Sequence, residues 1–412
     1  MLCHFAFLVL LFAFQKKEGK MKLTVIGLGQ CGCRIADHFA RLNLKARAQR
    51  KATIAPVVIA VNTDQADLTG LRFIKNDYTH RVLLGLRQTL GHGVGKINEL
   101  GAQLAKEDGD KVLDAVKASS QFYETHGFLL MAGAAGGTGS GALPIIAKAV
   151  KDRYIGKPVY ALIVLPFEHE QNTESRSTYN TATCLKSTYD LVDAIFLADN
   201  QRYVRKDASL ASNIDIINRM IAEPFYDFMC AGEVTKAKHV GSRTIDAGDI
   251  IASLEGWTAI GLGRTELPSF RFPWEIRKKT FRDKALESFR GTQALDATIS
   301  DLSLTCSPKD AGKAIYIISG PEKDLNMDMV KSVSDYIKEL ASTALIRGGD
   351  FPGEKHYIDI TLILSQLAFV PRIKEFYEQA TQFAQEHKGQ LEETKKRIES
   401  LAELGKDLPK LE

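Results

Sequence analysis

The densest glycine cluster of the chain follows an apolar run at residues 128–132. Nine consecutive positions there contain five glycines and two hydroxyl side chains, Gly133-Ala134-Ala135-Gly136-Gly137-Thr138-Gly139-Ser140-Gly141. Such a loop can direct successive backbone N–H groups at one anion, and a helix beginning near Ser140 adds the positive end of its dipole. A flexible linker is the alternative, which the apolar strand before the loop and the apolar helix after it disfavour. The loop therefore predicts a site for a di- or triphosphate.

A second glycine loop, Gly27-Leu28-Gly29-Gln30-Cys31-Gly32, lies between an apolar run and a helical pattern. It satisfies G-x-G-x-x-G, in which glycines bring backbone N–H groups close to a phosphate at a helix N-terminus. Alone, this pattern is typical of nicotinamide-dependent oxidoreductases, which also need an acidic residue at the end of the second strand. Here the second strand ends in Asn62-Thr63-Asp64, whose amide and hydroxyl do not fit that ribose contact. An oxidoreductase is therefore the less favoured alternative.

A third glycine loop, Gly91-His92-Gly93-Val94-Gly95, precedes a long helical pattern. It could close a phosphate site from another side. The same residues equally suit an ordinary turn, so this loop supports a phosphate site only together with the other two.

Five apolar runs separate these loops and predict the strands of one sheet. The runs are continuous rather than alternating, which is typical of parallel strands covered by helices on both faces. We therefore predict an α/β fold with an N-terminal doubly wound, mostly parallel sheet over residues 21–208, and a ligand at the carboxyl ends of its strands. The runs are Leu23–Ile26, Val57–Val61, Phe128–Ala132, Val159–Leu165 and Ala194–Ala198.

The rest of the chain predicts a long central helix, a smaller α/β domain and a charged helix. The central helix covers residues 209–231 and contains Pro224, where it could kink or end. The smaller domain covers residues 232–371. The final helix, residues 372–412, has one apolar stripe, and it either packs on the body or binds a partner. The predicted elements of the smaller domain are strands Ser303–Cys306, Ala314–Ser319 and Ile358–Leu367 and a helix at Asp328–Ala344.

Residues 1–20 form a leader that we expect to be foreign to the native protein or disordered. Phe5–Phe14 is a ten-residue apolar run, shorter than the roughly 20 residues that span a bilayer. No basic residue precedes it and no small-residue cleavage site follows, which disfavours a signal peptide. We expect the native chain to begin at Met21; a membrane-associating N-terminus is the alternative.

Composition excludes several classes of protein. The 412 residues are 45% hydrophobic and 25% charged, which is typical of a globular protein with two or three domains. The formal net charge of +4 lacks the concentrated basic excess of a dedicated nucleic-acid binder. The six cysteines show no zinc-type spacing, so we expect reduced thiols, a cytoplasmic protein, and Cys31 and Cys33 packing in a tight loop.

Taken together, the loops resemble those of the tubulin/FtsZ superfamily. The glycine run is similar to the tubulin signature loop, and it departs from the family at Ala135, where glycine is usual. Gly29-Gln30-Cys31-Gly32 is similar to the first phosphate loop of tubulins, and Asn62-Thr63-Asp64 resembles the second loop of FtsZ. The resemblance covers Met21 to about Arg372.

Short motifs in the C-terminal half make the archaeal tubulin-like CetZ branch the most similar part of that superfamily. These motifs are Gly320-Pro321, Gly348-Gly349-Asp350, Leu364-Ser365 and Val370-Pro371-Arg372. The implied fold is that of tubulin and FtsZ, with a GTPase domain, a central helix and a C-terminal domain.

The resemblance implies that the three loops bind GTP or GDP with Mg²⁺. Asn218 on the central helix and Asn200 before it would bind guanine, because an amide offers both a donor and an acceptor; an ordinary polar helix residue is the alternative for Asn218. Glu170 would bind the ribose, whereas the longer spacing to Arg176 leaves that residue without an assigned role. The implied phosphate-binding residues are Gly29, Gln30, Cys31, Asn62, Asp64, Gly93, Val94, Gly95, Gly136, Gly137, Thr138, Gly139 and Ser140.

Two acids, Asp246 and Asp249, follow Thr244 in a short segment of the C-terminal half. Three residues apart, they would share one face at the start of a helix, where an N-cap and a first-turn carboxylate need no catalytic role. The segment also resembles the N-x-D-x-x-D loop of FtsZ, with Thr244 replacing the asparagine. The resemblance implies that both acids are catalytic: they reach the nucleotide of the next subunit and orient water for attack on the γ-phosphate.

The resemblance thus implies a cytoskeletal GTPase that polymerises head-to-tail into filaments and hydrolyses GTP on assembly, with a role in cell shape or division. Its expected partner is itself, with adaptors or membrane-linked proteins as further options. Neither a nucleic-acid partner nor a metal site built from protein ligands is expected. A non-polymerising GTP-binding regulator of the same fold is the alternative.

Overall fold

The structure is a computed structural model that describes residues 21–204, 210–230, 245–267, 281–322, 324–352 and 356–385. The leader 1–20, Thr244 and the charged helix beyond residue 385 lie outside the described residues, and so do the predictions made for them. Within the described ranges, none of the helices is both long and apolar enough to cross a membrane.

Strands and helices alternate along the described chain. The strands are β1 (Leu23–Leu28), β2 (Val58–Asn62), β3 (Arg81–Leu83), β4 (Gly127–Gly133), β5 (Val159–Leu165), β6 (Ala194–Asp199), β7 (Gly256–Glu266), β8 (Ala311–Gly320), β9 (Leu345–Pro352) and β10 (Tyr357–Leu367). The helices are α1 (Gly29–Arg50), α2 (Gln65–Thr69), α3 (Leu86–Thr89), α4 (Asn98–Ala118), α5 (Thr138–Arg153), α6 (Glu168–Thr173), α7 (Ser175–Tyr189), α8 (Leu210–Cys230), α9 (Ala247–Ser253), α10 (Phe281–Ser300), α11 (Met327–Leu340) and α12 (371–385).

A sheet of ten strands runs through the described part of the molecule in the order β3-β2-β1-β4-β5-β6-β7-β10-β8-β9. The first six strands are parallel. β7 joins β6 in parallel over a short stretch, from Ala194↔Gly256 to Phe196↔Thr258. Beyond it, β10 is antiparallel to β7 and β8, while β8 and β9 are parallel. The predicted doubly wound, mostly parallel sheet with a smaller α/β part beside it is confirmed. The boundaries at residues 208, 231 and 371 stay predictions.

The strands of the parallel half are buried on both faces. Every residue of β1 and of β5 is buried. Neighbouring residues of one strand belong to different hydrophobic cores; Ile26 of β1 lies in one and Val25 in the other. Helices therefore cover both faces of this half, and the strand ends are the place where a ligand can reach the sheet.

The central helix α8 packs along α1 and β6. The ring of Phe225 lies 5.3 Å from that of Phe39 on α1 and 5.0 Å from that of Phe196 on β6. Pro224 lies inside α8, and the helix continues past it to Cys230. The proline therefore does not end the helix.

The C-terminal end of α1 contacts both α8 and the C-terminal part of the sheet. Arg50 Nη2 lies 3.3 Å from Asp227 Oδ1 of α8. The same guanidinium lies 4.4 Å from the centre of the Phe351 ring on β9. Because α1 begins at Gly29 in the second glycine loop, one helix connects that loop with the far half of the molecule.

The prediction of a strand at Ser303–Cys306 is wrong, because these residues form no strand in the structure. Ser303 Oγ donates to the carbonyl of Leu197 over 2.6 Å, and Ser303 N donates to the carbonyl of Ile260 over 2.8 Å. The Ser303 carbonyl accepts from Asp199 N at 2.8 Å. The segment thus fills the gap where β6 and β7 diverge, and its polar groups bond to two strands instead of forming one ladder.

Three strands were not predicted from the sequence: β3, which has only three residues, and β7 and β9, which glycine interrupts. A Cβ atom on Gly263 of β7 would lie 2.3 Å from the carbonyl oxygen of Ala294, so α10 packs directly on the strand backbone. Glycine inside a strand often marks such a close approach, whereas in a sequence it indicates a turn. The predicted strands Ala314–Ser319 and Ile358–Leu367 correspond to β8 and β10.

Candidate functional site

A cavity of about 400 Å³ opens at the carboxyl ends of the central parallel strands. Its wall combines segments that are far apart in the sequence: the three glycine loops, the end of β2, the turn after β5 and the start of α8. The predicted residues on this wall are Gly29, Gln30, Cys31, Asn62, Asp64, Gly93, Gly136, Gly137, Thr138, Gly139, Glu170, Asn200 and Asn218.

The loop after β1 and the loop after β4 are in direct backbone contact. Gly29 has a φ of +68°, and a Cβ atom there would lie 2.7 Å from Gly139 N. Thr63, at the end of β2, adds a buried side-chain hydrogen bond of 2.6 Å between its Oγ1 and that of Thr138. Three strand ends are therefore locked together, and their N–H groups are arranged before any anion arrives.

Asp67 joins the first loop to the end of β2, and the sequence analysis did not select it. Its Oδ1 accepts from Gln30 Nε2 at 2.7 Å, and its Oδ2 accepts from Asn62 Nδ2 at 3.0 Å. Asp64 caps the same short helix, since its Oδ1 accepts from Asp67 N at 3.1 Å. Asp67 therefore orients two of the predicted amides, and the only local signal for it is its place three residues after the Asp64 cap.

Three predicted residues, Val94, Gly95 and Ser140, are not on the cavity wall. Ser140 is 1% exposed, and its hydroxyl donates to the carbonyl of Gly136. A Cβ atom on Gly137 would lie 2.6 Å from Val94 Cγ2, so Val94 packs against the glycine run. Val94 and Ser140 therefore support the glycine run from behind the wall, whereas Gly95 is exposed.

The other end of the cavity is amide-rich and partly apolar. Asn218 of α8 is 3% exposed and lies on the wall beside Ile214 and Ile217 of the same helix. Asn200, which follows β6, completes this end. Isoleucine side chains that flank two amides suit a flat ring with a polar edge.

Glu170 lies on the wall in the first turn of α6. Its Oε2 accepts from Phe167 N at 3.1 Å, so the carboxylate also caps the helix. Phe167 lines the cavity too. One carboxylate oxygen of Glu170 is thus used within the chain, and the other is available to a ligand hydroxyl.

Cys31 and Arg34, one turn apart on α1, line the cavity. Burial raises the pKa of the Cys31 thiol to about 12, so the group is a neutral thiol at physiological pH. Cys33 packs behind it and donates to the carbonyl of Val61 over 3.3 Å. Arg34 adds a positive charge that the glycine pattern itself does not predict.

Lys96, directly after the third glycine loop, is a second cation on the wall. Its ammonium forms an ion pair with Glu174. Its carbonyl accepts from Asn180 Nδ2 at 2.9 Å, and the same amide donates to the carbonyls of Ala135 at 3.1 Å and Gly136 at 3.2 Å. Asn180 therefore ties the third loop to the glycine run, and sequence analysis missed both residues because they are distant in the chain.

Arg176, whose role the sequence left unassigned, is not on the cavity wall. Its guanidinium forms an ion pair with Glu99 and donates to Asn98 Oδ1 over 3.1 Å. It ties α7 to the start of α4.

The acid pair lies away from the cavity. Asp246 is the N-cap of α9, and its Oδ1 accepts from Asp249 N at 2.8 Å. Asp249 Oδ1 lies 3.3 Å from Arg347 Nη1 of β9, which also donates to the Asp249 carbonyl over 2.8 Å. The capping arrangement that the spacing allows is thus present, and neither carboxylate lines the cavity of its own chain.

Two family models match the chain. Residues 22–206 match the GTPase domain of the tubulin/FtsZ family, and residues 207–382 match the C-terminal domain of tubulin-like CetZ. Tubulin-like protein CetZ1 of Haloferax volcanii is 32% identical over 374 residues, covering 87% of this chain and 92% of that protein. Tubulin-like protein CetZ of Pyrococcus furiosus is 24% identical over 370 residues, covering 89% of this chain and 91% of that protein.

Comparison with solved structures also finds CetZ proteins similar to this chain. The GDP-bound monomer of CetZ1 from Haloferax volcanii matches with a TM-score of 0.75 at 31% identity, covering 88% of this chain and 100% of that chain. The GTPγS-bound protofilament of CetZ2 from the same organism matches with a TM-score of 0.75 at 26% identity, covering 89% and 100%. An FtsZ dimer from M. jannaschii, at 20% identity and a TM-score of 0.63, shares the fold.

Proposed function

The chain belongs to the tubulin/FtsZ family, in its CetZ branch, and on that premise we propose that it binds and hydrolyses GTP and assembles head-to-tail into cytoskeletal filaments. The CetZ1 relative has been solved with GDP, and the CetZ2 relative as a protofilament with GTPγS. Different features of this chain support nucleotide binding, hydrolysis and assembly.

Nucleotide binding is supported by the two unlike ends of the cavity. The glycine loops present backbone N–H groups to phosphates, and the N-terminus of α5 adds its dipole beside Thr138. Asn200 and Asn218 lie at the other end, where an amide oxygen and an amide N–H would pair with the edge of guanine. Glu170, in the first turn of α6, is the proposed partner of the ribose.

Mg²⁺ fits this site as an ion held largely by the nucleotide. Mg²⁺ usually takes one or two carboxylates, water and substrate phosphates, rather than an all-protein cage. Asp64 and Asp67 are carboxylates on the wall beside the loops. Among the residues that the structure describes, no cluster of three or more His, Cys, Asp or Glu could bind a metal alone. We therefore assign Mg²⁺ to the phosphates, where it would neutralise negative charge.

The separation of the acid pair from the cavity is the observation that carries the hydrolysis and assembly parts of the proposal. Asp246 is exposed and Asp249 is partly exposed, yet neither is on the cavity wall. In this proposal, a single subunit therefore lacks at its own cavity the two carboxylates, Asp246 and Asp249, that would orient water. A neighbour that presents the start of α9 would complete the site, because phosphoryl transfer depends mainly on positioning and charge. Such a head-to-tail contact does not close on itself, so it repeats into a filament.

The proposed place of action is the cytoplasm, and the proposed cellular role is in cell shape or division, with adaptors or membrane-linked proteins as further partners. The free thiols of Cys31, Cys33, Cys184 and Cys306 support a reducing compartment. Cells that lack the protein should lose normal shape or division, and a normal phenotype would contradict this role.

Hydrolysis measured against protein concentration tests the shared active site. The chain starting at Met21 is incubated with GTP and Mg²⁺ while light scattering is recorded, and ATP serves as the matched control nucleotide. With GTP, but not with ATP, we expect the hydrolysis rate per subunit and the light scattering to rise above the same threshold protein concentration. A flat rate, or GTP binding without hydrolysis or scattering, would instead support a non-polymerising regulator.

A charge-only substitution tests the acids more sharply than alanine does. Asp246→Ala would remove the N-cap of α9 together with the carboxylate, whereas Asp246→Asn keeps a good capping oxygen. We expect the Asn variant to bind GTP and assemble, but to hydrolyse about 100-fold more slowly. Asp335→Asn, which removes an exposed carboxylate paired with Lys338 on α11, is the control and should be unchanged. Wild-type turnover by the Asp246 variant would refute the catalytic role.

A further inference from the structure

Arg372, in the motif Val370-Pro371-Arg372, lies where a helix disfavours a cation. It is in the first turn of α12, at the positive end of the helix dipole, and it is not on the cavity wall. Its side chain is 13% exposed, and its guanidinium lies 4.9 Å from the centre of the Phe376 ring on the same helix. A cation that is this buried needs anionic partners inside the protein.

The first partner of Arg372 is the carboxylate at the end of β6. Arg372 Nε lies 3.2 Å from Asp199 Oδ2, and Asp199 is 4% exposed. The other oxygen, Asp199 Oδ1, accepts from Gln201 N at 3.0 Å and caps the turn that begins at Asn200. Burial raises the pKa of Asp199 above its ordinary value, and the charge of Arg372 opposes this shift. The guanidinium therefore favours the ionised carboxylate, which is the better cap for the turn that places Asn200 on the wall.

The second partner of Arg372 leads to the helix that carries Glu170. Arg372 Nη1 donates to Glu375 Oε2 over 2.8 Å. The other oxygen of Glu375 accepts from Gln171 Nε2 at 2.8 Å. Gln171 is 5% exposed and directly follows Glu170 in α6. One carboxylate of α12 therefore joins Arg372 to the turn that carries the proposed ribose contact.

The two connections of Arg372 end beside two residues of the cavity wall. Asn200 is a proposed partner of the base, and Glu170 is the proposed partner of the ribose. Loss of the guanidinium would leave the buried carboxylate of Asp199 without this cation. That loss is more disruptive than the loss of an exposed ion pair, because the carboxylate has little access to water. The cap of the turn at Asn200 would loosen as a result.

We propose that Arg372 is a positioning residue for base recognition: through Asp199 it holds the turn of Asn200, and so it sets the preference of the cavity for guanine. The inference rests on the proposed nucleotide-binding function. The second connection, through Glu375 and Gln171, holds α6 and contributes to nucleotide affinity without selecting the base.

The test compares the affinities of the full chain for GDP, ADP and inorganic pyrophosphate, each with Mg²⁺, by isothermal titration. GDP and ADP differ only in the base, so the ratio of their affinities reports base recognition and is insensitive to the fraction of folded protein. Arg372→Met removes the charge and keeps an apolar side chain against Phe376. We expect GDP affinity to fall by about 10-fold, while the affinities for ADP and pyrophosphate change by less than about 3-fold.

Two further variants of arginines make this comparison robust. Arg372→Lys keeps the charge but lacks the fork of donors that reaches Asp199 and Glu375 together. It should lower GDP affinity by about 3-fold, and it provides the same comparison if Arg372→Met does not fold. Arg264→Met is the matched control and should leave all three affinities unchanged. Arg264 also pairs with a buried carboxylate, that of Asp359, and lies over the Tyr357 ring, but it is not on the wall.

Gln171→Leu tests the second connection by itself. It breaks the hydrogen bond to Glu375 without touching Asp199. We expect the affinities for GDP and ADP to fall equally, by about 3-fold, so that their ratio is unchanged. A fall in the ratio as large as that caused by Arg372→Met would overturn the assignment of base selection to the Asp199 connection.

The outcomes separate this inference from the function on which it rests. If the wild-type chain binds no nucleotide, or does not prefer GDP to ADP, the proposed function fails and the inference fails with it. If the wild type prefers GDP and the Arg372 variants leave the ratio unchanged, only the inference is overturned. Equal weakening of GDP, ADP and pyrophosphate would also overturn it, because Arg372 would then support the cavity as a whole.

Discussion

The cavity wall and the acidic turn are built in opposite ways. On the wall, glycine loops from three strand ends are in backbone contact, and buried groups such as the Thr63–Thr138 hydroxyl pair join them. The turn at the start of α9 depends on one N-cap bond from Asp246 and one partly exposed ion pair between Asp249 and Arg347. A preorganised wall can bind a ligand in a single subunit, whereas a turn with accessible carboxylates suits a contact that forms only on assembly.

The largest effect should come from breaking the contact between two loops of the wall. Gly29→Ala places a Cβ atom 2.7 Å from Gly139 N at a φ of +68°. Displacing the glycine run should remove one or two phosphate contacts, so nucleotide affinity should fall by about 100-fold. Equilibrium binding of a fluorescent GDP analogue measures this loss.

Gly156→Ala is the matched control for this prediction. Gly156, in the turn between α5 and β5, has a φ of +85°, and a Cβ atom added there would meet no described atom within 4 Å. The substitution therefore imposes similar backbone strain without touching the wall. Equal losses from the two substitutions would show that strain alone, rather than the loop contact, limits binding.

A smaller effect should follow from weakening the polar connection between the first loop and the end of β2. Asp67 accepts from Gln30 and Asn62, and Asp67→Asn would retain an acceptor for only one of these amides. We expect nucleotide affinity to fall by about 10-fold, since one hydrogen bond to a charged acceptor is lost. Isothermal titration with GDP measures the change, and an unchanged affinity would show that backbone contacts alone organise the two loops.

The smallest effect is expected from removing the arginine that is paired with Asp249 in the acidic turn. Arg347→Gln removes the guanidinium that lies 3.3 Å from Asp249 Oδ1. Because the pair is partly exposed, the maximal hydrolysis rate should fall by no more than about 5-fold, with GDP affinity unchanged. Turnover above the assembly threshold tests this. A loss as large as that of Gly29→Ala would mean that the turn is as tightly organised as the wall.

Sequence analysis succeeded where function is encoded locally. The glycine loops after β1 and β4 are contiguous, so the strand and the helix on either side of each could be predicted, and most of the residues implied by the resemblance lie on the wall of one cavity. Sequence analysis missed residues whose role depends on hydrogen bonds to other segments. Asp67 accepts hydrogen bonds from Gln30 and Asn62. Asn180 donates to backbone carbonyls more than 40 positions away in the chain. No periodicity in a single chain reveals such pairings.

The acids and one false strand show a second limit. The spacing of Asp246 and Asp249 is compatible with both capping and catalysis, and the structure shows the cap without excluding the other role. Ser303–Cys306 has the composition of a strand, yet Ser303 bonds to β6 and β7 at the place where they separate. The composition of a segment indicates that it is buried. Whether the segment forms a β-strand or a connection between strands depends on where the neighbouring strands diverge.

Helix α1 also has the length and the end contacts of a lever arm. Its 22 residues correspond to about 33 Å at 1.5 Å per residue. Its first residue touches the glycine run, and its last contacts the Phe351 ring of the C-terminal sheet. If the helix tilted by about 3° about its first residue, its length of about 33 Å would displace its far end by roughly 1.7 Å. A tilt too small to disturb the packing around Gly29 would therefore displace Arg50 by about the length of one covalent bond.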